Sequence, residues 1–349
     1  MTDTLRFGII GTGAMAARMT RTLQSLPGVQ VVGVASNSAE RAETFARHHG
    51  IPQGVAGAAL LLADPSLDAV YVGNANRDHA QAVRIAAAAG KAVLCEKPFA
   101  LDLAEAEATL EAVRRSGILF MEAICTPFLP AYARLAARIA GGELGGPGLL
   151  QASFGYPEDP SLRPSLFAAD AGVMLDRGIY PLATALLLAG PVARMQASVT
   201  RGAGGTDIQA ALLLEHENGW TSQLAASLTG LLANEVRVSG PRASFLLPAP
   251  VMHPERLVAE QAPIPSSGST THAVSLKQKL KENPLLRRLK AALPKPGTEH
   301  LPYGSDHYRP EAEHFCGLLR AGQKQSPILP PVFSLQLQKL IAEGLRQPR

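Results

Sequence analysis

The chain has 349 residues, of which 46% are hydrophobic and 18% charged, and its formal net charge is +4 at pH 7. This length favours two domains, and this composition is typical of a soluble globular protein with a sizeable core. No apolar run reaches the roughly 18 residues of a membrane-spanning helix, and the N-terminus enters a strand pattern directly, without a signal peptide. Three scattered cysteines argue against a disulfide framework and a zinc site, so we expect a cytoplasmic protein without a bound metal.

A glycine-rich turn follows the first predicted strand. Arg6–Ile10 is a short buried strand, and the G-x-G-x-x-A motif over 11–16 leads into an amphipathic helix over Met15–Leu26. Between a strand and a helix, this motif is the fingerprint of dinucleotide binding. Its first glycine permits the tight turn, its second lets a pyrophosphate approach the backbone, and the helix N-terminus attracts the anion. The residues expected to contact the dinucleotide here are Gly11, Gly13, Ala14 and Met15.

The end of the second predicted strand carries residues that would distinguish NADP from NAD. Val29–Ala35 leads into Ser36 and Asn37, and Arg41 lies one turn into the next helix. NAD-binding proteins usually have an Asp or Glu at this strand end, which binds the ribose 2′-hydroxyl. Hydroxyls, an amide and a guanidinium suit a 2′-phosphate instead, so we expect NADP, with NAD as the alternative. A purely structural interpretation makes Ser38 a helix cap and Arg41 a solvated side chain, and both interpretations can hold.

Strands and helices alternate through the rest of the N-terminal half, which predicts a parallel, doubly wound sheet. The loop 73–79 follows a strand over Asp68–Val72, and we expect Asn76 and His79 in this loop to contribute to the cofactor site. His79 is favoured as a hydrogen-bonding residue at a helix start rather than as a catalyst. The other predicted elements are helices over Ala56–Ala63, 80–90 and Leu103–Ser116, and strands over Lys91–Cys95 and Ile118–Met121.

The strand over Lys91–Cys95 ends abruptly in Glu96, Lys97 and Pro98. Ligands of open α/β sheets lie just outside the carboxyl ends of the parallel strands. A lysine at this position therefore faces whatever the domain binds, and Pro98 restricts the path of the chain away from it. We expect Lys97 to act in catalysis and Glu96 to contribute to the cofactor site.

The C-terminal half contains a second set of strands that alternate between apolar and polar residues. A hairpin turn at Glu217-Asn218-Gly219 joins two of them, which indicates antiparallel pairing. A proline-rich acidic loop over Glu158–Ala169 is expected to skirt the substrate cleft. The predicted strands are Leu149–Tyr156, Val192–Thr200, Asp207–His216, Trp220–Thr229 and Asn234–Ser239, and the predicted helices are Thr126–Gly141, Gly172–Leu188, Pro310–Ala321 and a final one.

A basic segment over 275–297 carries the excess positive charge. It sums to +6, so the rest of the chain sums to −2. Lys and Arg interleaved with leucines, after a Pro/Ser/Thr-rich connector over Pro263–Thr271, would suit contact with nucleic acid or a membrane. Six leucines at near-helical spacing over Leu276–Leu293 instead favour an amphipathic helical excursion docked on the protein. We therefore expect no nucleic-acid partner and no membrane partner.

Three motifs together carry a family resemblance: Gly11-x-Gly13-x-x-Ala16, then Glu96-Lys97-Pro98, then Leu175-Asp176-Arg177-Gly178-Ile179-Tyr180 in the second half. With them the sequence resembles, over essentially its whole length, the glucose–fructose oxidoreductase / inositol dehydrogenase family (Gfo/Idh/MocA). It is most similar to the subgroup that includes dimeric dihydrodiol dehydrogenases, because the third motif ends in tyrosine where many relatives have histidine.

The resemblance implies a Rossmann domain over 1–124 and a C-terminal α/β domain over 125–349, whose open, mostly antiparallel sheet forms the oligomer interface of a homodimer or homotetramer. It implies hydride transfer between a nicotinamide and a secondary alcohol or carbonyl carbon. The substrate would be a small polyhydroxylated or cyclic molecule, such as a sugar, cyclitol or cyclic diol. Ser36 and Arg41 match positions that hold the adenosine 2′-phosphate in NADP-using relatives.

By the same resemblance, Lys97, Asp176 and Tyr180 assist proton transfer. Tyrosine and lysine have unperturbed pKa values of about 10 and about 10.4, too high for a base at neutral pH. An ammonium beside a phenol would lower the pKa of the phenol, and a carboxylate such as Asp176 would orient the partners or bind substrate hydroxyls. Taken singly, Tyr180 is a core tyrosine and Asp176 a helix cap. The three residues together favour catalysis.

Two other functions remain open from the sequence. A cofactor-binding regulator on the same fold would need the glycine loop but neither the lysine nor the tyrosine. A reductase of a C=N or C=C bond would need a proton donor but no polyol-binding groups. Departures from the family at 74–76, 125–130 and 170–172 leave the substrate undetermined, and Arg177 is a candidate contact for an anionic or polyhydroxyl group.

Overall fold

The N-terminal half forms a six-stranded sheet in which every neighbouring pair of strands is parallel. The computed structural model describes residues 4–168, 170–262 and 297–346. The strands are β1 Leu5–Ile10, β2 Val29–Ser36, β3 Gln53–Ala56, β4 Ala69–Val72, β5 Ala92–Glu96 and β6 Phe120–Ala123, in the order β3-β2-β1-β4-β5-β6. The strand order reverses between β1 and β4, so a crevice opens at the carboxyl ends of these two strands.

Helices cover both faces of this sheet, because alternate residues of its strands pack into separate cores. Ala69 and Tyr71 of β4 belong to one buried cluster, and Val70 and Val72 belong to the other. The helices are α1 Ala14–Gln24, α2 Ala39–His49, α3 Ala58–Leu62, α4 His79–Ala88 and α5 Leu103–Ser116. The predicted doubly wound parallel sheet is therefore confirmed.

The second sheet has eight strands, and all its neighbouring pairs are antiparallel except β7 and β10, which are parallel. The predicted open, mostly antiparallel sheet is confirmed, although the sequence did not predict its last three strands. The strands are β7 Leu149–Gly155, β8 Val192–Arg201, β9 Asp207–His216, β10 Thr221–Ser227, β11 Val236–Ser239, β12 Ala243–Leu247, β13 Arg256–Gln261 and β14 Thr298–His300. The predicted connector over Pro263–Thr271 and helical stretch over Leu276–Leu293 lie outside the described residues.

The single helix predicted over Gly172–Leu188 is wrong. A wider π-helical turn over Met174–Gly178 precedes α7, which spans Ile179–Ala189. The start of the turn is fixed from outside, since the Asp207 carboxylate accepts a hydrogen bond from the backbone N–H of Met174 at 2.7 Å. Gly172 has φ +118°, and a Cβ there would lie 2.0 Å from Asp207 Oδ1, so only glycine fits.

Three more helices complete the described fold: α6 Pro130–Ala140, α8 Arg309–Arg320 and α9 Pro331–Arg346. Helix α9 packs against α7 and β8 and also against α5 and β6 of the first sheet. The amide of Gln338 in α9 donates a hydrogen bond to the carbonyl of Ala100. The C-terminal segment thus contacts both halves, and a domain boundary after residue 124 stays a proposal. Within the described ranges, no helix combines the length and apolarity that crossing a membrane requires.

Candidate active site

A cleft of about 760 Å³ lies at the carboxyl ends of β1, β2 and β4. Gly11, with φ +118°, forms its tight turn, and a Cβ there would lie 2.5 Å from the carbonyl oxygen of Gly73. A Cβ on Gly13 would meet nothing within 4 Å, so this glycine faces open space. Helix α1 begins directly after Gly13 without a side-chain cap, which leaves its first N–H groups directed toward the cleft.

The residues present fit a dinucleotide. The turn at Gly11 needs glycine, the helix N-terminus offers donors to a pyrophosphate, and Asn74 Oδ1 at the cleft wall is buried without a hydrogen-bond partner among the described residues. At the far end, Ser36, Asn37 and Arg41 line the same cleft. Ser38 also caps α2 by accepting a hydrogen bond from Arg41 N at 3.3 Å, so the structural interpretation of this turn holds as well.

Other predicted cofactor residues do not line this cleft. His79 is buried, with Nδ1 2.8 Å from the carbonyl of Pro98 and Nε2 3.2 Å from that of Asn74. Burial lowers the pKa of His79, and a neutral ring, which has a single N–H, donates to only one of these two carbonyls. Glu96 accepts a hydrogen bond from the Tyr71 hydroxyl, and burial raises its pKa. Direct contact with the cofactor stays a prediction for all five of these residues: Ala14, Met15, Asn76, His79 and Glu96.

Lys97 and Asp176 meet although 79 positions separate them in the chain. Lys97 follows β5, and its Nζ donates to Oδ1 and to the backbone carbonyl of Asp176, both at 3.0 Å. The lysine side chain is 15% exposed, so the pair lies largely out of water. Burial alone would raise the pKa of Asp176, but the charge and hydrogen bond of Lys97, together with the charges of Arg177 and Arg163, hold this pKa below its usual value. Asp176 is therefore ionised at neutral pH.

Tyr180 lies beside this pair on the first turn of α7. Lys97 Nζ is 5.4 Å from the centroid of the tyrosine ring, so the ammonium faces the ring rather than the hydroxyl alone. The expected lowering of the tyrosine pKa is wrong: burial raises the pKa of Tyr180 well above its usual value, and the nearby Cys125 and Glu96 raise it further. A neutral phenol at this position is a proton donor rather than a base.

A smaller pocket of about 290 Å³ adjoins Asp176, and the sequence had singled out only Asp176 and Arg177 of its walls. Arg177 does not offer its guanidinium to a substrate, because its Nη1 donates to the backbone carbonyls of Tyr156 and Ser227 and its Nη2 to Glu158. The other lining residues are Phe154, Tyr156, Glu158, Arg163, Pro250, Val251, Met252 and His253. These residues come from segments distant in the sequence. The sequence predicted only that the loop 158–169, which carries Glu158 and Arg163, lies near the cleft.

Family models match both halves of the chain. One, described as an oxidoreductase family with an NAD-binding Rossmann fold, matches residues 5–123, and the GFO/IDH/MocA C-terminal domain matches residues 132–246. The chain belongs to the GFO/IDH/MocA family. It is an NAD(P)-binding oxidoreductase, and the resemblance drawn from the three motifs is confirmed.

Curated relatives match along the whole chain. The trans-1,2-dihydrobenzene-1,2-diol dehydrogenase of Bos taurus is 32% identical over 343 residues, which cover 97% of this chain and 95% of the relative. The human enzyme of the same name is 32% identical over 349 residues, with 99% and 96% covered.

Solved structures share the fold at lower identity. An NAD-binding oxidoreductase from Klebsiella pneumoniae superposes with a TM-score of 0.79 at 22% identity, with 99% of this chain and 97% of that chain covered. A 3-ketoreductase from Actinomadura kijaniata, solved with NADP and TDP-benzene, superposes with a TM-score of 0.77 at 24% identity, with 97% and 96% covered.

Proposed function

We propose that this family member is an NADP-preferring dehydrogenase or reductase. It interconverts a secondary alcohol and a carbonyl on a sugar, a cyclitol or a cyclic diol. The observation that carries the proposal is the meeting of Lys97, Asp176 and Tyr180, drawn from both halves of the chain. Lys97 follows β5, the strand next to β4. The three residues therefore lie at the carboxyl end of the first sheet, the same end at which the cleft opens. The dihydrodiol dehydrogenase relatives are named for oxidising such alcohols.

Proton transfer falls to this chain's own side chains. When bound, the oxidised cofactor would accept the hydride from the alcohol, and the reduced cofactor would supply it to the carbonyl. In reduction, the neutral phenol of Tyr180 protonates the carbonyl oxygen, and the Lys97 ammonium stabilises the negative charge that develops there. Asp176 holds the ammonium in place through its 3.0 Å hydrogen bond and binds a neighbouring substrate hydroxyl. In oxidation the alcohol's proton passes to the ionised form of Tyr180, the phenolate, which restores the neutral phenol.

The direct test is a panel of polyols, cyclic diols, ketones and imines, assayed with NADP and with NAD. We expect turnover of at least one secondary alcohol or its carbonyl, at higher kcat/KM with NADP. Turnover of imines alone would replace the proposal with a C=N reductase. Tight NADP binding without turnover of any compound would favour the cofactor-binding regulator instead.

Arg41 should set the cofactor preference. In Arg41→Ala the ratio of kcat/KM for NADP to that for NAD should fall about 10- to 100-fold, the effect of losing one charge-assisted hydrogen bond to phosphate. Arg47 is the matched control, because it is exposed on the same helix and its ion pair with Glu43 is a loose 3.9 Å. An unchanged ratio in Arg41→Ala, or an equal fall in Arg47→Ala, would contradict a 2′-phosphate contact at Arg41.

We also propose a homo-oligomer, assembled through the outer face of the second sheet. Helices α6 and α7 pack on one side of this sheet. On the other side Ala211 is exposed, and Leu213 and Ala225 are half-buried. Exposed and half-buried apolar side chains on a sheet face suit pairing with a second copy. Light scattering should give the mass of a dimer or tetramer, and a monomer mass at micromolar concentration would contradict the proposal.

A further inference from the structure

The pocket beside Asp176 is charged as well as small. Its described walls carry two carboxylates, Asp176 and Glu158, and two guanidinium groups, Arg163 and Arg177. The ammonium of Lys97 reaches the same place through its hydrogen bond to Asp176. Three cations thus face two anions in this part of the described chain. The question is which cation remains available to a ligand.

Two of the cations already have acidic partners within the protein. Lys97 donates to Asp176 at 3.0 Å. Arg177 is 5% exposed, donates to two backbone carbonyls and to Glu158, and lies with its Nε 3.7 Å from Asp176 Oδ2. Both carboxylates are therefore already neutralised by buried partners, and neither cation can leave without exposing an unpaired buried charge.

Arg163 is the cation left over. Its side chain is 58% exposed, and its nearest acidic atom is Glu158 Oε2 at 3.6 Å, beyond ordinary hydrogen-bond range. Glu158 accepts its hydrogen bond from Arg177, and its contact with Arg163 is longer than a hydrogen bond. Within the described ranges the Arg163 guanidinium makes no hydrogen bond. Arg163 and Asp176 line the same pocket, and the charge of Arg163 contributes to the low pKa of Asp176.

We propose that Arg163 determines substrate specificity by binding a carboxylate on the substrate, so that the preferred substrates are hydroxy or keto acids derived from sugars or cyclitols. This inference rests on the proposed oxidoreductase function. A guanidinium presents two parallel N–H donors, which match the two oxygens of a carboxylate. The carboxylate would restore electroneutrality to a pocket that otherwise holds one excess positive charge. The substrate's carbinol carbon would then lie toward Asp176 and Lys97, away from the rim.

The test compares each neutral sugar or cyclitol with the corresponding carboxylic acid and phosphate ester, using NADP as cofactor. The wild-type protein should have a higher kcat/KM for the acid than for the neutral compound and the phosphate. In Arg163→Gln the ratio of kcat/KM for acid to that for neutral compound should fall about 10- to 100-fold, mainly through KM, because one charge-assisted contact is lost. Arg163→Glu should reverse the preference.

Arg115→Gln is the matched control. Arg115 is 73% exposed and pairs with Glu111 on α5, outside the residues that line the pocket, so this variant should keep the wild-type ratio. A wild-type preference for the neutral compound or the phosphate would overturn the carboxylate assignment, as would an unchanged ratio in Arg163→Gln. Absence of turnover with all three compound classes would instead defeat the proposed function itself, which keeps the two failures distinguishable.

Discussion

Replacing Lys97 with methionine should lower kcat for the preferred substrate by about 100- to 10,000-fold, the range expected when a positioned proton-transfer or charge-stabilising group is removed. The reason is local: the substitution removes the ammonium whose hydrogen bonds to Asp176 are 3.0 Å long. The carboxylate loses its main partner, so its pKa should move back toward the usual range. Steady-state kinetics with saturating NADP measure the effect, and NADP titration shows whether the cofactor still binds.

Lys91→Met is the control for this experiment. Lys91 lies just before β5, and its Nζ donates to the carbonyls of Asp64 and Leu67, so it braces a loop at the opposite end of the strand from Lys97. The control should keep wild-type kcat even if it loses some stability. A Lys97→Met protein that binds NADP and keeps more than about a tenth of wild-type kcat would refute the assigned role, since a proton-transfer group contributes at least about 100-fold.

Tyr180→Phe should reduce kcat for carbonyl reduction by about 100- to 10,000-fold, because it removes only the proton donor. The ring itself stays, and with it the edge-to-face contact with Phe154 at 5.8 Å and the position of Lys97 over the ring. The melting temperature and NADP affinity should therefore hardly change. If both residues serve one step, the double variant Lys97→Met/Tyr180→Phe should be about as slow as the slower single variant, because the two losses are not additive.

The dependence of the reduction rate on pH tests whether Tyr180 acts as a neutral proton donor. Burial raises the pKa of Tyr180 well above its ordinary value. The active form for reduction is the neutral phenol, which is lost only as the pH rises through this raised pKa. Reduction should therefore show no alkaline decline arising from tyrosine ionisation up to about pH 10, the usual pKa of a phenol. A decline near neutral pH that disappears in Tyr180→Phe would mean that the tyrosine works as a low-pKa base instead.

Local sequence patterns predict the nucleotide-binding edge well. The strand, glycine turn and helix around Gly11 and Gly13 are contiguous in the chain, and the short-range requirements of a tight turn fix their arrangement. Lys97 was also predicted from a local pattern, because it directly follows a predicted strand and ligands lie at the carboxyl ends of parallel strands. The parallel sheet followed from alternating strands and helices, which leave few topologies available.

Contacts between residues far apart in the chain could not be predicted from local sequence patterns. The approach of Asp176 and Tyr180 to Lys97 came from resemblance to a family, since nothing local signals a contact across 79 residues. The π-helical turn before α7 was missed because nearly every residue of α7 is buried, so hydrophobic periodicity carries no information there. Arg177 was expected at the substrate but is occupied by backbone carbonyls whose positions depend on the second sheet.

Helix α9 limits how this protein can be divided or recombined. Its apolar side chains, including Phe333 and Leu337, belong to the same continuous buried cluster as residues of both sheets, such as Phe7 and Leu212. A fragment ending at residue 124 would leave the faces of α5 and β6 uncovered where α9 now packs. A chimaera that exchanges the nucleotide-binding half with that of a relative must therefore carry α9 with it, or match the surface that α9 covers. The transferable unit is two segments from opposite ends of the chain, not one.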